Sequence, residues 1–169
     1  MEEDFERIYN TYGNHLLRLC FLYLGEKSLA EDAFHETMVK VLCGFENFQG
    51  KSSEKTWLTR IAVNVCKDYL KSSWNRKVIY PKSLEAVSGS YEMQMEPEGE
   101  LIRFILGLPV KYREVVLLYY YDECSVQEIS QMLQVSVSAV TTRLERARKK
   151  LKIDMEGEGG YGKPITGAN

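Results

Sequence analysis

The sequence is poor in the residues that usually carry chemistry, with 4 cysteines and 2 histidines in 169 residues. Cys20, Cys43, Cys66 and Cys124 form no CxxC pair, and neither His15 nor His35 stands at metal-ligand spacing to them, so no zinc pattern is present. A chain of this length can bury its own core and does not need a disulfide framework, which points to free thiols in a reducing cytoplasm. No GxSxG, HExxH or phosphate-binding P-loop pattern occurs. Nothing therefore recommends an enzyme, and no cofactor, metal or small-molecule substrate is expected. No run approaches the roughly 18 apolar residues that span a bilayer. The start, Met1-Glu2-Glu3-Asp4, has no apolar segment behind it, so a secretory signal is not expected.

Excess charge is also lacking. The chain has 22 Lys+Arg against 24 Asp+Glu, a net charge of −2, which taken alone speaks against a nucleic-acid partner. The average conceals two basic stretches. Lys67, Lys71, Arg76, Lys77 and Lys82 stand against Asp68 alone, and Arg143, Arg146, Arg148, Lys149, Lys150 and Lys152 against Glu145 alone. Such runs are often solvated helix faces, and they equally suit phosphate contacts.

Almost everything with a pattern reads as helix. Phe5, Ile8, Tyr9, Tyr12, Leu16, Leu19, Cys20 and Tyr23 recur at spacings of three and four up to Gly25. Ser28 with Glu31 predicts a capping box that opens a second helix. Its apolar stripe is Ala30, Phe34, Met38, Val41, Leu42 and Phe45, and a polar stripe of Asp32, His35, Glu36 and Lys40 lies on another face. A loop around Phe48 and Gly50 leads to a third helix, 54–73. There Arg60, Asn64, Lys67 and Lys71 fall within about 60° of one another, with Leu58, Ile61, Val65 and Tyr69 turned to a core. Basic side chains near Phe45, Phe48, Trp57, Tyr69 and Trp74 suit unstacked bases, with rings to stack on and lysines for phosphates. The competing reading places most of these rings in the core, and Phe48, in a polar loop, is the one packing explains least.

Residues 76–97 lose the periodicity and read as a flexible linker. A second block, 98–153, begins with Leu101, Ile102, Ile105 and Leu106 in a helix stopped by Pro109, followed by Val115, Val116, Leu118 and Tyr119. Ser125 with Glu128 predicts another capping box. The helix Val126–Leu133 buries Ile129 and Leu133, Gln134-Val135-Ser136 form a turn, and the next helix lines up Val140, Leu144, Ala147 and Leu151. Its opposite face carries Ser138, Thr142, Glu145 and Lys149, flanked by Arg143 and Arg146 on one side and Thr141 and Arg148 on the other. Small residues at the start of a second helix permit entry into a major groove, and arginines further along reach bases or phosphates. Gln134 stands where such turns want glycine, because the backbone there often has φ > 0. An ordinary helical hairpin with a basic face fits the same pattern. The glycine-rich stretch 154–169 is expected to be a disordered tail.

Three stretches in this order resemble the bacterial extracytoplasmic-function (ECF) sigma factors, the two-domain minimal form of the sigma-70 family. They are Ala30-Glu31-Asp32-Ala33-Phe34-His35-Glu36-Thr37-Met38; Phe48-Gln49-Gly50 with Thr56-Trp57-Leu58-Thr59-Arg60-Ile61-Ala62-Val63-Asn64 and Asp68-Tyr69-Leu70; and Leu108-Pro109 through Arg113 with Arg143-Leu144-Glu145-Arg146-Ala147-Arg148. The resemblance implies an all-α fold of two small helical domains. The first, 1–75, is region 2, which binds core polymerase and the −10 element. The second, 98–153, is region 4, a helix-turn-helix without a wing that binds the −35 element. It also implies roles. Asp32, His35, Glu36 and Lys40 would dock on core RNA polymerase. Phe48 and Asn64 would hold a base from the melted −10 element, with Arg60, Lys67 and Lys71 along the same strand. Ser138, Thr141, Thr142, Arg143, Arg146 and Arg148 would contact the −35 element. Promoter DNA and core polymerase are the expected partners, with an anti-sigma factor, often membrane-bound, as a third. The alternatives are a stand-alone helix-turn-helix regulator, which has no use for the acidic stripe, and an all-helical adaptor whose basic faces are only solvated.

Overall fold

A computed structural model describes residues 2–74 and 98–157. The chain divides into two compact units, Met1–Glu92 and Met93–Asn169. All regular structure among the described residues is helical, as the sequence periodicity requires. The expected linker, 76–97, lies outside the described residues.

The first unit is a bundle of three mutually packed helices, α1 (Glu2–Leu24), α2 (Lys27–Gly44) and α3 (Glu54–Trp74). Helix α1 opens with Glu2, Glu3 and Asp4, whose charge suits the positive end of the helix dipole. It buries Ile8, Leu16, Leu19, Cys20 and Tyr23, whereas Tyr9 is 49% exposed, its ring tilted against Phe34 with centroids 6.0 Å apart. Gly25, at φ 75°, closes the helix by donating its N–H to the Phe21 carbonyl at 2.7 Å. Two expectations for α2 are corrected. The cap is Glu26, not Ser28: its carboxylate accepts from the N–H groups of Ser28 and Leu29 at 2.9 and 3.0 Å, so the helix starts earlier and Glu31 is left to pair with Lys27. A carboxylate that satisfies two orphan donors at the positive helix end outcompetes a hydroxyl that would satisfy one. The buried stripe runs through Ala30, Ala33, Phe34, Thr37, Met38 and Val41, and Leu42 is exposed. Helix α3 turns Leu58, Ala62, Val63, Val65 and Cys66 inward, with Ile61 and Tyr69 at the margin. The Cys66 thiol hydrogen-bonds Cys20 across the α1–α3 contact, which together with burial keeps it protonated. At the mouth of the bundle Arg7 grips Glu54 with two hydrogen bonds, 2.9 and 2.6 Å, fixing the start of α3 to α1.

In the second unit, α4 (Glu98–Gly107), α5 (Val110–Val116) and α6 (Val126–Leu133) all pack on the long α7 (Val137–Gly157). Pro109 both ends one helix and opens the next, its fixed φ of −51° leading directly into α5. Arg113 lies buried and donates to the carbonyls of Leu106 and Leu108 at 2.7 and 3.2 Å, securing that corner. Leu108, Val116, Ala147 and Leu151 form the core between α5 and α7, with Phe104 and Tyr112 packed against it. Of the stripe expected on α4, only Ile102 is fully buried. A single π-helical turn, Leu117–Tyr121, joins α5 to α6. Helix α7 continues four residues past the boundary expected at 153, and the Lys150–Asp154 pair at 3.5 Å spans that extension. The rest of the expected tail, 158–169, lies outside the described residues.

Candidate nucleic-acid interfaces

In the first unit the basic face begins at an aromatic pair. A 3-10 turn, Phe45–Asn47, closes on itself when the Phe48 N–H reaches the Phe45 carbonyl at 3.0 Å. This returns the Phe48 ring to Trp57, with centroids 4.9 Å apart and planes 34° apart, while Phe45 approaches the same indole at 6.3 Å. Phe48, which the sequence left unexplained by packing, is thus half-buried against Trp57. Gly50, exposed at φ 65°, lets the loop turn, and the Ser53 hydroxyl accepts the Thr56 N–H at 3.0 Å to open α3. At about 100° per residue, Trp57, Arg60, Asn64, Lys67 and Lys71 share an arc about 80° wide. The structure therefore brings Phe48 to the head of the row it was expected to serve. Asn64 and Lys71 are exposed, and Arg60 and Lys67 are half-buried. The Arg60 Nε is buried with no hydrogen-bond partner among the described residues.

On α2, Asp32, His35 and Lys40 are exposed and Glu36 is half-buried. Lys40 pairs with Glu36 at 3.0 Å, and Tyr69 of α3 hydrogen-bonds the same carboxylate. Burial first, then the charges of Glu36 and Asp32, push the Tyr69 phenol up. Glu36 is thus tied between two partners, and Asp32 and His35 are the open members of the set. The sequence reading missed that Val39 and Leu42, 60% and 40% exposed, extend this face as an apolar strip. The signal was the spacing of Asp32, His35, Val39 and Leu42 by three, four and three, which puts them on one side of a helix.

The helix-turn-helix of the second unit is assembled by its caps. Ser125 and Glu128 exchange the two hydrogen bonds of a capping box, at 3.1 and 2.8 Å. Gln134 adopts the left-handed conformation, φ 55° and ψ 44°, which the turn demands and which glycine would take without strain. The Ser130 hydroxyl donates to the Val135 carbonyl at 2.6 Å, and the Ser136 hydroxyl accepts from Ala139 at 3.0 Å to start α7. Val140, Leu144, Ala147 and Leu151 are buried as the periodicity requires. Ser138, Thr141, Arg146 and Lys149 are exposed, and Thr142 is half-buried.

The six residues assigned to this face do not all lie open on it. Arg143 is 26% exposed and turns back to Glu114 of α5, itself 8% exposed, at 3.3 Å. The Arg148 Nε donates to the Tyr120 hydroxyl at 2.6 Å, and its guanidinium lies over the rings of Tyr119 and Tyr120 at 5.7 and 5.6 Å. Glu114 and Tyr120 thus belong to the site, though no local pattern singles them out.

No described helix is long and apolar enough to cross a membrane, and no group of three or more His, Cys, Asp or Glu among the described residues is placed to hold a metal. The described surface offers positive charge, small polar side chains and stacked rings on helix faces.

A family model for sigma-70 region 2 matches residues 8–76, and one for sigma-70 region 4 matches residues 98–151. Among curated proteins, the RNA polymerase sigma factor YlaC of Bacillus subtilis is 30% identical over 165 residues, an alignment covering 90% of this chain and 92% of that protein. The ECF RNA polymerase sigma factor SigX of the same organism is 29% identical over 168 residues, covering 92% and 86%. Among solved structures, the sigma factor RpoE in complex with the anti-sigma factor NepR from Bartonella quintana shares the fold with a TM-score of 0.72 at 18% identity, covering 91% of this chain and 98% of that one. CnrH in complex with the cytosolic domain of CnrY does so with a TM-score of 0.68 at 20% identity, covering 94% and 92%.

Proposed function

The chain belongs to the sigma-70 family as an RNA polymerase sigma factor of the ECF type, and we propose that it works as a dissociable specificity subunit that lends core polymerase two DNA-reading faces. The observation that carries this reading is the pairing of two separate basic helix faces with different companions: an aromatic pair beside α3, and a helix-turn-helix turn before α7. The family match over residues 8–76 favours it over a stand-alone helix-turn-helix regulator, because the first unit then has a task of its own.

In this proposal residues 1–75 form the region that binds core polymerase and the −10 element, and 98–153 the region that binds the −35 element. Asp32 and His35, with Val39 and Leu42, form the polymerase-facing side of α2, while Glu36 and Lys40 hold each other and Tyr69 in register. Asn64 captures an unpaired base at the edge of the Phe48–Trp57 platform, which repays part of the unstacking cost. Arg60, Lys67 and Lys71 follow the phosphates of that strand. Ser138, Thr141, Thr142 and Arg146 enter the major groove, while Arg143 and Arg148 brace α7 from its flanks. The protein performs no chemistry itself, needs no cofactor, and has an anti-sigma factor as its third partner, as RpoE has NepR and CnrH has CnrY. The test is transcription in vitro: core polymerase with this protein should initiate at defined promoters that core polymerase alone ignores.

A further inference from the structure

Glu145 is the one acidic residue between Val137 and Ile153, among six Lys and Arg. It is fully on the outside. At about 100° per residue, Ser138, Glu145 and Lys149 share an arc about 40° wide, turned away from Val140, Leu144, Ala147 and Leu151. An acidic residue in such a run is ordinarily neutralised by its helix neighbours. Here Arg143 and Arg148 are engaged elsewhere, and Lys149, exposed at i+4 on the same stripe, makes no ion pair with Glu145. Arg148, one turn on, is bound by Tyr120 and two rings, and Arg143 turns to Glu114 on the other side of the helix. Thr141, one turn back, spends its hydroxyl on the Val137 carbonyl at 3.0 Å. No ion pair links Glu145 to any described residue.

A carboxylate carried towards a polyanion is repelled unless it meets a donor. In the major groove the donors are the amino groups of cytosine and adenine, and adenine sets the acceptor N7 beside its amino group, where the second carboxylate oxygen would lie. Guanine and thymine offer only acceptors to such a group. We propose that Glu145 is a specificity-determining residue that selects cytosine at one position of the site read by α7. This rests on the reading of α7 as the −35 recognition helix. Ser138, two turns earlier on the same stripe and small, lets the helix come close enough for a glutamate to reach a base edge.

The experiment is transcription by the reconstituted holoenzyme from promoters randomised across the −35 element, with the templates used identified by sequencing. Wild-type protein should enrich cytosine at one position by about fivefold or more over the other bases. Glu145→Ala should lose that preference there and keep the others. Glu145→Gln should shift it towards adenine, because an amide both donates and accepts. Thermal melting of each variant should match wild type, since the side chain is exposed. Identical base preferences for wild type and Glu145→Ala at every position would overturn the assignment while leaving the sigma reading intact. A wild-type holoenzyme that initiates at no promoter would sink both.

Discussion

The ring of Phe48 lies against the indole of Trp57, 4.9 Å between centroids, and Trp57 heads the helical row that continues through Asn64. A loop aromatic and a helix aromatic thus make one platform at the end of a basic track. Asn64 is exposed and its removal should not disturb the bundle. Asn64→Ala should therefore slow open-complex formation on duplex promoters and have a smaller effect on templates melted in advance. Permanganate footprinting of the two template types measures this, and equal loss on both would remove the base-capture role.

Arg143 and Arg146 are three residues apart in sequence and differ in task. Arg143→Ala removes a charged partner of a buried carboxylate, Glu114, and should cost the second unit about 1 kcal/mol or more. Arg146→Ala should leave stability within about 0.5 kcal/mol of wild type and weaken promoter use. Urea denaturation of the two variants beside transcription assays separates these outcomes. A double-mutant cycle with Glu114→Gln should show coupling for Arg143 and none for Arg146.

Gln134 holds a left-handed backbone that costs a side-chain-bearing residue about 1 kcal/mol. Gln134→Gly removes that strain and adds freedom to the unfolded chain, a smaller effect in the opposite direction. The net expectation is a rise of a few degrees in the melting temperature, read by calorimetry on the full chain. A fall would mean that the side chain contributes more than the turn costs.

The tie between Arg7 and Glu54 predicts an acid-sensitive part of the bundle's stability. The Arg7 hydrogen bond and charge hold the Glu54 carboxyl below its ordinary value of 4.5, with burial opposing. A carboxylate depressed in the folded state contributes stability above its unfolded pKa and loses it as pH falls through the folded one. The stability difference between wild type and Arg7→Ala should thus be full at neutral pH and shrink below about pH 4.5. Denaturation curves between pH 3 and 7 test the sign, and a difference that grows on acidification would contradict it.

Much of this fold is legible in the sequence because its determinants are local. The spacing of Val140, Leu144, Ala147 and Leu151 identifies the buried stripe of α7, and Ser125 with Glu128 announces the start of α6. What is not legible depends on distant partners. Arg143 reads as an exposed basic residue until Glu114, 29 positions away, is seen beside it. Arg148 has the same ambiguity with Tyr120, 28 positions away. Leu42 reads as core because hydrophobicity says nothing about which side of α2 faces α1 and α3, and the structure leaves it exposed beside Val39. Glu26 is missed as a cap because a longer side chain rarely folds back onto its own helix, and here it reaches two N–H groups at once.

The central claim is that this chain gives core polymerase a promoter preference that neither possesses alone. The direct measurement is run-off transcription from a genomic fragment library with core polymerase, in the presence and absence of the full-length protein, with start sites mapped by sequencing. The account predicts start sites that appear only with the protein and share sequence at both −10 and −35. Transcripts that are absent, or whose start sites are unchanged by the protein, would contradict it.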